Sequence, residues 1–174
     1  MCSSDLSNVH YRNNLFLGRD TPDRGIMVWA NATGAFSSDY NGFRPNRGVE
    51  DQYLWLGPKP GQRLYEPAAQ DWQHFKTLEA FKAATGQEAH GLEVDFDIFE
   101  SLQPPDPARR HAVYHAMDLN FALKSGSKAI DAGEVLPTVN DGFSGSAPDL
   151  GALEFGHPAP HYGPRWLTWT PFYR

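Results

Sequence analysis

Short runs in which apolar and polar residues alternate predict β-strands along most of the chain, because successive side chains of a strand point to opposite faces. The clearest alternation lies in residues 88–99, where apolar residues would cover one face and acids the other. The acids on that face are Glu93, Asp95 and Asp97. Further strands are predicted within residues 8–18, 25–30, 37–43, 53–56 and 148–155.

One helix is predicted directly before Gly86. Apolar side chains recur at intervals of three from Phe75 to Phe81, which gathers them on one helix face. Asp71 or Thr77 can cap the N-terminus through a side-chain oxygen, and Gly86 can adopt the left-handed conformation that ends a helix. Turns should be frequent elsewhere, since the chain holds 16 glycines and 14 prolines.

Asn14 and Asn41 lie 27 residues apart, and each is followed shortly by an aromatic residue. One interval of this length fits one turn of a repeating solenoid, in which the two side-chain amides would stack. Two ordinary asparagine turns explain the same pattern equally well. The sequence alone favours neither interpretation.

Composition indicates one globular domain. The chain has 174 residues, of which 40% are hydrophobic and 13% aromatic, enough to bury a core. Its net charge of −6 argues against nucleic-acid binding and mildly against a groove for strongly anionic polysaccharide. Cys2 is the only cysteine, which excludes an intramolecular disulfide. No apolar run approaches the ~18 residues of a membrane helix, so no membrane insertion is expected.

Two segments near the C-terminus carry a resemblance to a known family. They are GSKAIDAG (126–133) and PDLGALEFG (148–156), joined by a connector rich in Gly, Ser, Asn and Asp. Upstream of them stand NVHYRNNLFLG, SSDYNGF and FKTLEAFKAATGQEAHGLEVD. This combination resembles the C-terminal part of secreted bacterial right-handed parallel β-helix proteins, the pectate-lyase-like solenoids.

The resemblance implies an all-β fold: the C-terminal coils of a right-handed parallel β-helix, with one short helical insertion and a C-terminal cap. Residues 1–43 would form coils that are expected to be truncated at the N-terminus, and whether Met1 is the native start is left open. Residues 44–89 would form the insertion with its one α-helix, and 90–156 the final coils and end segment. Residues 157–174 would form a capping tail rich in proline and aromatic residues. The alternative is a small intact β-rich domain that is unrelated to solenoids.

The resemblance also implies a function. The chain would belong to a secreted or cell-surface protein, monomeric at full length, that acts on or binds polysaccharide. A polysaccharide lyase or glycoside hydrolase with most of its groove upstream is the first hypothesis, and a non-catalytic surface or adhesion protein is the alternative. An enzyme should bring acids, bases and cationic groups together on one face of adjacent coils. An adhesion protein should show repeated ladders of polar side chains.

The end segment has a structural interpretation of its own. The last coil of a solenoid has an exposed edge that needs a cap. Asp131 and Asp149 can accept backbone N–H bonds in tight turns beside Gly133 and Gly151. Glu154 belongs with them as a turn and cap residue, so these acids are not expected to be catalytic.

Aromatic and basic residues are candidates for sugar binding. Arg44 can supply positive charge to an acidic substrate, although arginines in loops are usually solvated. Four aromatic side chains can stack on sugar rings or can equally pack in a core. They are Trp29, Tyr40, Tyr53 and Trp55.

Three carboxylates and one histidine complete the candidates. Glu93, Asp95 and Asp97 can bind Ca²⁺, include a glycosidase acid/base pair, or form the solvated face of a half-buried strand. His90, beside Glu88, can be a general base, a metal ligand or an ordinary turn histidine. The sequence makes Ca²⁺ the one cofactor to consider and leaves the catalytic residues unassigned.

Overall fold

Strands form at most of the alternating stretches, but not near the C-terminus. The computed structural model describes residues 9–30, 35–57, 72–109, 111–115 and 118–158. In these ranges the strands are β1 (Val9–Arg12), β2 (Leu15–Leu17), β3 (Met27–Ala30), β4 (Phe36–Asp39), β5 (Gly42–Arg44), β6 (Tyr53–Leu56), β7 (Gln73–Phe75) and β8 (Leu92–Glu93). The helix α1 (Leu78–Thr85) lies between β7 and β8, and a 3-10 helix covers Phe96–Ile98.

Three small sheets hold these strands together. β1 pairs with β4, β3 pairs with β6, and β2, β5 and β8 form a third set, all in parallel. In these pairs Leu15 lies opposite Gly42, and Met27 opposite Tyr53. Parallel pairing over such separations brings side chains that are distant in sequence next to each other.

The predicted right-handed parallel β-helix is wrong. The sheets contain two or three strands each, they mix parallel and antiparallel pairing, and they do not close into a solenoid. β7 runs antiparallel to β6, with Tyr53 opposite Phe75. This strand occupies the edge of β6 at which a further parallel coil would have to add, so the sheet ends there.

Two of the predicted strands differ in the structure: the one within residues 88–99 is shorter than predicted, and the one at residues 148–155 is absent. In both, acidic side chains accept backbone N–H groups that strand pairing would use. Within residues 88–99 the strand ends at Glu93. Asp95 then caps the 3-10 helix by accepting the N–H of Phe96 at 2.8 Å. Residues 148–155 form turns and bends rather than a strand.

The helix begins after Thr77, one of its two predicted N-caps, and ends at Gly86 as predicted, but Phe75, which was predicted to share its apolar face, lies in β7. Oγ1 of the N-cap Thr77 accepts the backbone N–H three residues later at 3.2 Å. Gly86 has a φ of 68°, and its N–H donates to the carbonyl of Lys82 at 2.9 Å. Phe81 is fully buried against the sheets. Within the described ranges no helix is long and apolar enough to cross a membrane.

The core has two parts. One lies between α1 and the sheets, and its buried members are Met27, Phe43, Tyr53, Leu78 and Phe81. The other lies under the end segment, with Val94, Phe96, Ile98, Phe99, Leu102, Leu123, Ala129 and Leu150. Both are built largely of aromatic and branched side chains, which supply most of the apolar area removed from water.

Backbone hydrogen bonds join the two segments GSKAIDAG (126–133) and PDLGALEFG (148–156), which we together call the end motif. The N–H of Gly133 donates to the carbonyl of Pro148 at 2.7 Å, and the N–H of Leu150 donates to that of Ala129 at 2.9 Å. Ala129 and Leu150 are buried in the second core. The predicted capping tail is residues 157–174, and from residue 159 onward it lies outside the described residues.

The acids in this motif accept backbone N–H groups, as predicted, but the predicted capping of a solenoid is wrong because the sheets form no solenoid. Asp149 accepts the N–H groups of Asp131 at 2.8 Å and of Phe155 at 2.6 Å. Asp131 in turn accepts the N–H of Ser146 at 2.9 Å. Glu154 accepts the N–H of Asp149 at 2.7 Å. These carboxylates are therefore engaged by backbone donors.

Asn41 is fully buried and joins the turns that follow β1 and β4. Its Oδ1 accepts both the backbone N–H and the side-chain amide of Asn14, each at 2.9 Å. Its Nδ2 donates to the Asp39 carbonyl at 3.0 Å and to Glu88 Oε1 at 2.8 Å. The amide contact that one interpretation of the asparagine spacing predicted is therefore present.

Replacing Asn41 by alanine should lower the free energy of unfolding by about 3 kcal/mol, because several buried partners lose their hydrogen bonds together. Urea denaturation measures the loss. Asn120→Ala is the control, since Asn120 is exposed and, within the described residues, its side chain makes two hydrogen bonds: it donates to Ser101 Oγ at 3.3 Å and accepts the N–H of Ala122 at 2.9 Å. Equal losses in the two variants would contradict a structural function for Asn41.

Candidate functional site

The aromatic candidates separate into core residues and one surface residue. Tyr53 is fully buried, and Trp29 and Trp55 lie opposite each other on β3 and β6 with ring centroids 6.4 Å apart. Both tryptophans are half-buried and pack against the first core. Tyr40 differs, because its ring stacks on the exposed imidazole of His90. Of the four, Tyr40 alone belongs to a polar surface site.

Arg44 is a buried structural residue. Its Nη1 donates to Asp20 Oδ1 at 2.5 Å, its Nε donates to Asp95 Oδ1 at 3.1 Å, and its side chain is only 3% exposed. The guanidinium also lies over the Phe96 ring, 5.5 Å from the centroid. The hydrogen bond to Asp20, followed by that to Asp95, raises the pKa of Arg44 despite its burial. The guanidinium is occupied by these partners and is almost inaccessible, so Arg44 is not available to bind a substrate.

The three carboxylates proposed for Ca²⁺ do not form a common site. Glu93 ends β8, Asp95 caps the following 3-10 helix, and Asp97 lies within that helix. Burial acts to raise the pKa of Asp95, but hydrogen bonds from the Phe96 N–H and from Arg44 outweigh it and lower the pKa. Among the described residues no group of three or more His, Cys, Asp or Glu is placed to hold a metal ion.

Polar side chains gather instead on one face of the β1–β4 sheet. The parallel register places His10 opposite Ser37 and Arg12 opposite Asp39. Because alternate residues of a strand share a face, these four side chains point the same way. We call them, with His90 attached to Asp39, the β1–β4 face.

Hydrogen bonds connect His10, Ser37 and Arg12 on this face. Nδ1 of His10 lies 2.6 Å from Ser37 Oγ, to which Arg12 Nη2 donates at 2.9 Å. The Nε of Arg12 donates to Glu134 Oε2 at 2.6 Å. Arg12 thereby connects the sheet to the loop that follows the first half of the end motif. Its guanidinium is therefore held by Glu134, by Ser37 and by the carbonyl of Tyr11, to which Nη1 donates at 2.9 Å.

Asp39 and His90 form the chemically most distinctive pair of the face. Asp39 Oδ2 lies 2.8 Å from His90 Nδ1, while Oδ1 accepts the backbone N–H groups of His90 at 2.7 Å and of Tyr40 at 2.9 Å. The Tyr40 ring lies 4.3 Å from the imidazole centroid at 16° to its plane. His90 is therefore oriented by two bonds to Asp39, one from its imidazole Nδ1 and one from its backbone N–H.

The electrostatics of this pair favour an ionised carboxylate. Burial acts to raise the pKa of Asp39, but the hydrogen bonds from the side chain and backbone of His90 and from the Tyr40 N–H outweigh it and lower the pKa. An ionised Asp39 can only accept a hydrogen bond, so Nδ1 of His90 carries the hydrogen and donates it, and the lone pair of the neutral imidazole lies on Nε2. His90 is 58% exposed at its side chain, so a reactant can approach it.

A buried glutamate fixes the turn that carries His90. Glu88 is fully buried, and its N–H donates to the Ser38 carbonyl at 2.7 Å. Its Oε1 accepts from Ser38 Oγ and from Asn41 Nδ2, and its carbonyl accepts the N–H of Gly91 at 2.9 Å. These bonds tie residues 88–91 to β4, which places His90 beside Asp39.

Sequence analysis identified part of this site. It singled out His90 and Tyr40 but paired His90 with Glu88, whereas its partner is Asp39. The other members of the face, His10, Arg12, Ser37 and Asp39, were not predicted as site residues, and neither was Glu134, which binds Arg12. The alternation in residues 8–18 and the 27-residue spacing of the asparagines were the signals that place the first four together.

Comparison with known proteins gives no match: no protein-family model, no curated protein and no solved structure aligns significantly with the chain. The assignment of the site therefore depends on its own geometry and chemistry.

The pKa of Glu88 gives a test of the network beneath the site. Burial raises the pKa of Glu88, and the hydrogen bonds from Ser38 and Asn41 only partly oppose this effect. The folded protein therefore holds this proton more tightly than the unfolded chain does. The stability that the proton contributes is complete below the unfolded pKa and is lost as pH rises through the folded pKa.

Glu88→Gln, which stays neutral at every pH, should match the wild type in melting temperature below about pH 4 and exceed it increasingly as pH rises. Thermal unfolding followed by circular dichroism over a pH series measures the difference. Glu100→Gln removes an exposed carboxylate instead and serves as the control. A difference that does not grow with rising pH would refute a raised pKa for Glu88 in the folded state.

Proposed function

We propose that the β1–β4 face binds a polysaccharide that contains uronate residues and cleaves it by β-elimination, as a polysaccharide lyase does. The observation that carries the proposal is the Asp39–His90 pair, joined at 2.8 Å, on the same face as Arg12. A base and a cation are the two groups that this reaction requires: His90 is held by Asp39 on β4, and Arg12 lies on the neighbouring strand β1.

His90 supplies the base. Asp39 holds Nδ1 as the donor and leaves Nε2 as the acceptor. The exposed imidazole can therefore reach a C–H group of a bound sugar, while the Tyr40 stack restricts its rotation. An orienting carboxylate, a histidine and a free second nitrogen form the general-base arrangement known from many enzymes.

Arg12 supplies the cation. Three of its five N–H groups are used within the described residues, by Glu134, Ser37 and the carbonyl of Tyr11. Two remain for a substrate carboxylate. Arg12 lies opposite Asp39 in the register, and neighbouring strands are about 4.8 Å apart, so one sugar can contact both Arg12 and His90.

The proposed step balances within these groups and solvent. Nε2 of His90 removes the proton from C5, the carbon bonded to the uronate carboxylate. The electrons of that C–H bond form the C4–C5 double bond, and the C4–O bond breaks. The departing oxygen takes a proton from solvent, and the proton that His90 removed from C5 later passes from Nε2 to solvent. Arg12 stabilises the carboxylate on which negative charge develops.

Hydrolysis has less support than elimination. A glycosidase needs two carboxyl groups that face one glycosidic bond. Glu134 is bound by Arg12, and Glu88 is fully buried under the face. A non-catalytic adhesion protein would show repeated polar ladders, whereas the described residues contain the single amide pair Asn14–Asn41.

Because the proposed substrate is a polysaccharide, we also propose that the protein is secreted or located at the cell surface. That the protein is monomeric stays a prediction.

The test is to incubate the protein with polygalacturonate and with alginate and to follow the ultraviolet absorbance of the unsaturated product. His90→Gln and Asp39→Asn should lower the rate at least ~100-fold, because each removes the oriented base. His74→Gln is the matched control, since His74 forms a similar exposed pair with Asp51 at 2.9 Å on another sheet. It should retain the wild-type rate.

Binding is measured in parallel by affinity electrophoresis in gels that contain each polymer. Retardation that depends on Arg12 and Tyr40, without any unsaturated product, would overturn the lyase step and leave the binding function. Absence of both retardation and product on every uronate polymer tried would overturn the proposal as a whole.

A further inference from the structure

The proposed elimination uses neither Ser37 nor His10, although both lie on the β1–β4 face. Ser37 Oγ lies 2.6 Å from His10 Nδ1, and the register of β1 and β4 places the two residues directly opposite each other. A serine hydroxyl within hydrogen-bond reach of an imidazole nitrogen is the arrangement that activates serine as a nucleophile. The face therefore carries a second set of reactive groups beside Asp39 and His90.

Arg12 determines which hydrogen-bonding position of the serine hydroxyl remains for His10. Its Nη2 donates to Ser37 Oγ at 2.9 Å, so that oxygen already accepts one hydrogen bond. The hydroxyl keeps its own hydrogen, which can be donated to Nδ1 of His10 2.6 Å away. Ser37 can in this way pass its proton to the imidazole while the oxygen attacks a substrate.

Arg12 also provides positive charge where an oxyanion would form. Its guanidinium is held by Glu134 Oε2 at 2.6 Å and by the carbonyl of Tyr11 at 2.9 Å. Within the described residues the second hydrogen of Nη2 is not used. A carbonyl oxygen that accepts it lies about 3 Å from Nη2. The carbonyl carbon can then approach Ser37 Oγ to the ~3.3 Å from which bond formation begins.

A second serine–histidine pair shows that the short distance alone is not the signal. Ser144 Oγ lies 2.6 Å from His157 Nε2, and both residues are exposed. Ser144 belongs to no strand or helix, and in the part of the chain that the structure describes no arginine donates to its hydroxyl. Ser37 differs because strand pairing and a guanidinium both fix its position.

The polar character of the face limits the substrate. The side chains that share it with Ser37 are those of His10, Arg12 and Asp39, and none of them is apolar. The apolar groove of the described residues is lined by other side chains, among them Leu153. A long acyl chain bound at Ser37 would therefore find no apolar surface to remove it from water. A short acyl group on a polar alcohol fits these surroundings.

We propose that Ser37 is the nucleophile of an esterase site, with His10 as the base and Arg12 as the oxyanion donor, and that it hydrolyses esters of short acyl groups such as acetate. The inference does not rest on the proposed elimination, because no step of ester hydrolysis uses His90 or Asp39.

The reaction needs only these three side chains and water. Ser37 Oγ bonds to the carbonyl carbon, Nδ1 of His10 takes the hydroxyl proton, and the electron pair of the C=O bond moves onto the oxygen bound by Arg12. The pair then returns, the bond to the alcohol oxygen breaks, and the alcohol leaves with the proton from Nδ1. Water adds to the acyl-serine in the same way and releases the carboxylic acid and the free serine.

Labelling with a fluorophosphonate tests the nucleophile in the wild-type protein. Fluoride leaves as the serine oxygen bonds to phosphorus, and tandem mass spectrometry locates the adduct. We expect it on Ser37 and not on Ser144, with a rate at least ~100-fold lower in His10→Gln because that variant lacks the base. No adduct on Ser37, or equal labelling of Ser37 and Ser144, would overturn the proposal.

Release of nitrophenol from p-nitrophenyl acetate measures turnover. Ser37→Ala should abolish the protein-dependent rate, and Arg12→Gln should lower it about 100-fold through loss of the oxyanion donor. Ser144→Ala is the matched control and should retain the wild-type rate. The acetate ester should have a higher kcat/KM than the octanoate ester, and the reverse order would overturn the short-acyl substrate class.

A normal rate in Ser37→Ala together with a loss in His10→Gln would mean that the imidazole itself attacks the ester, and would overturn Ser37 as the nucleophile. Neither probe contains a uronate, and polygalacturonate contains no ester. Failure of the esterase and failure of the elimination are therefore measured separately.

Discussion

The buried hydrogen-bond network of Asn41, Glu88 and Ser38 is the interaction on which the rest of the structure depends. Asn41 joins the turn after β1 to the turn after β4, and Glu88 ties the segment after α1 to the same strand. Polar groups this deeply buried are stable only when they are paired, so the network permits one relative position of the three segments. The Asp39–His90 pair lies directly above it, and its geometry follows from the same bonds.

Local features of the fold could be predicted because local chemistry decides them. Thr77 and Gly86 cap the two ends of the helix through bonds to residues three and four positions away, and Asp149 accepts the N–H of Phe155, six residues later. The solenoid could not be excluded in advance. The antiparallel pairing of β7 with β6 depends on where α1 packs, and no local pattern in residues 73–75 specifies that position.

The alternation in residues 88–99 shows how tertiary contacts override a sequence pattern. Asp95 has the spacing of a strand residue, but Arg44 and Arg47 attract its carboxylate, and it caps a 3-10 helix instead. The candidate site was partly hidden for a related reason. Arg12 and Asp39 become neighbours only through the register of two strands, which the single asparagine spacing hinted at but did not establish.

Tyr40 and Glu88 both adopt left-handed backbone conformations, with φ of 55° and 56°. For a residue that is not glycine, this conformation costs about 1–2 kcal/mol. Glycine at residue 40 would relieve that strain but would remove the ring that stacks on His90. Stability and the candidate site therefore make opposite demands on the same position, so variants selected for stability alone should drift toward the loss of this stack.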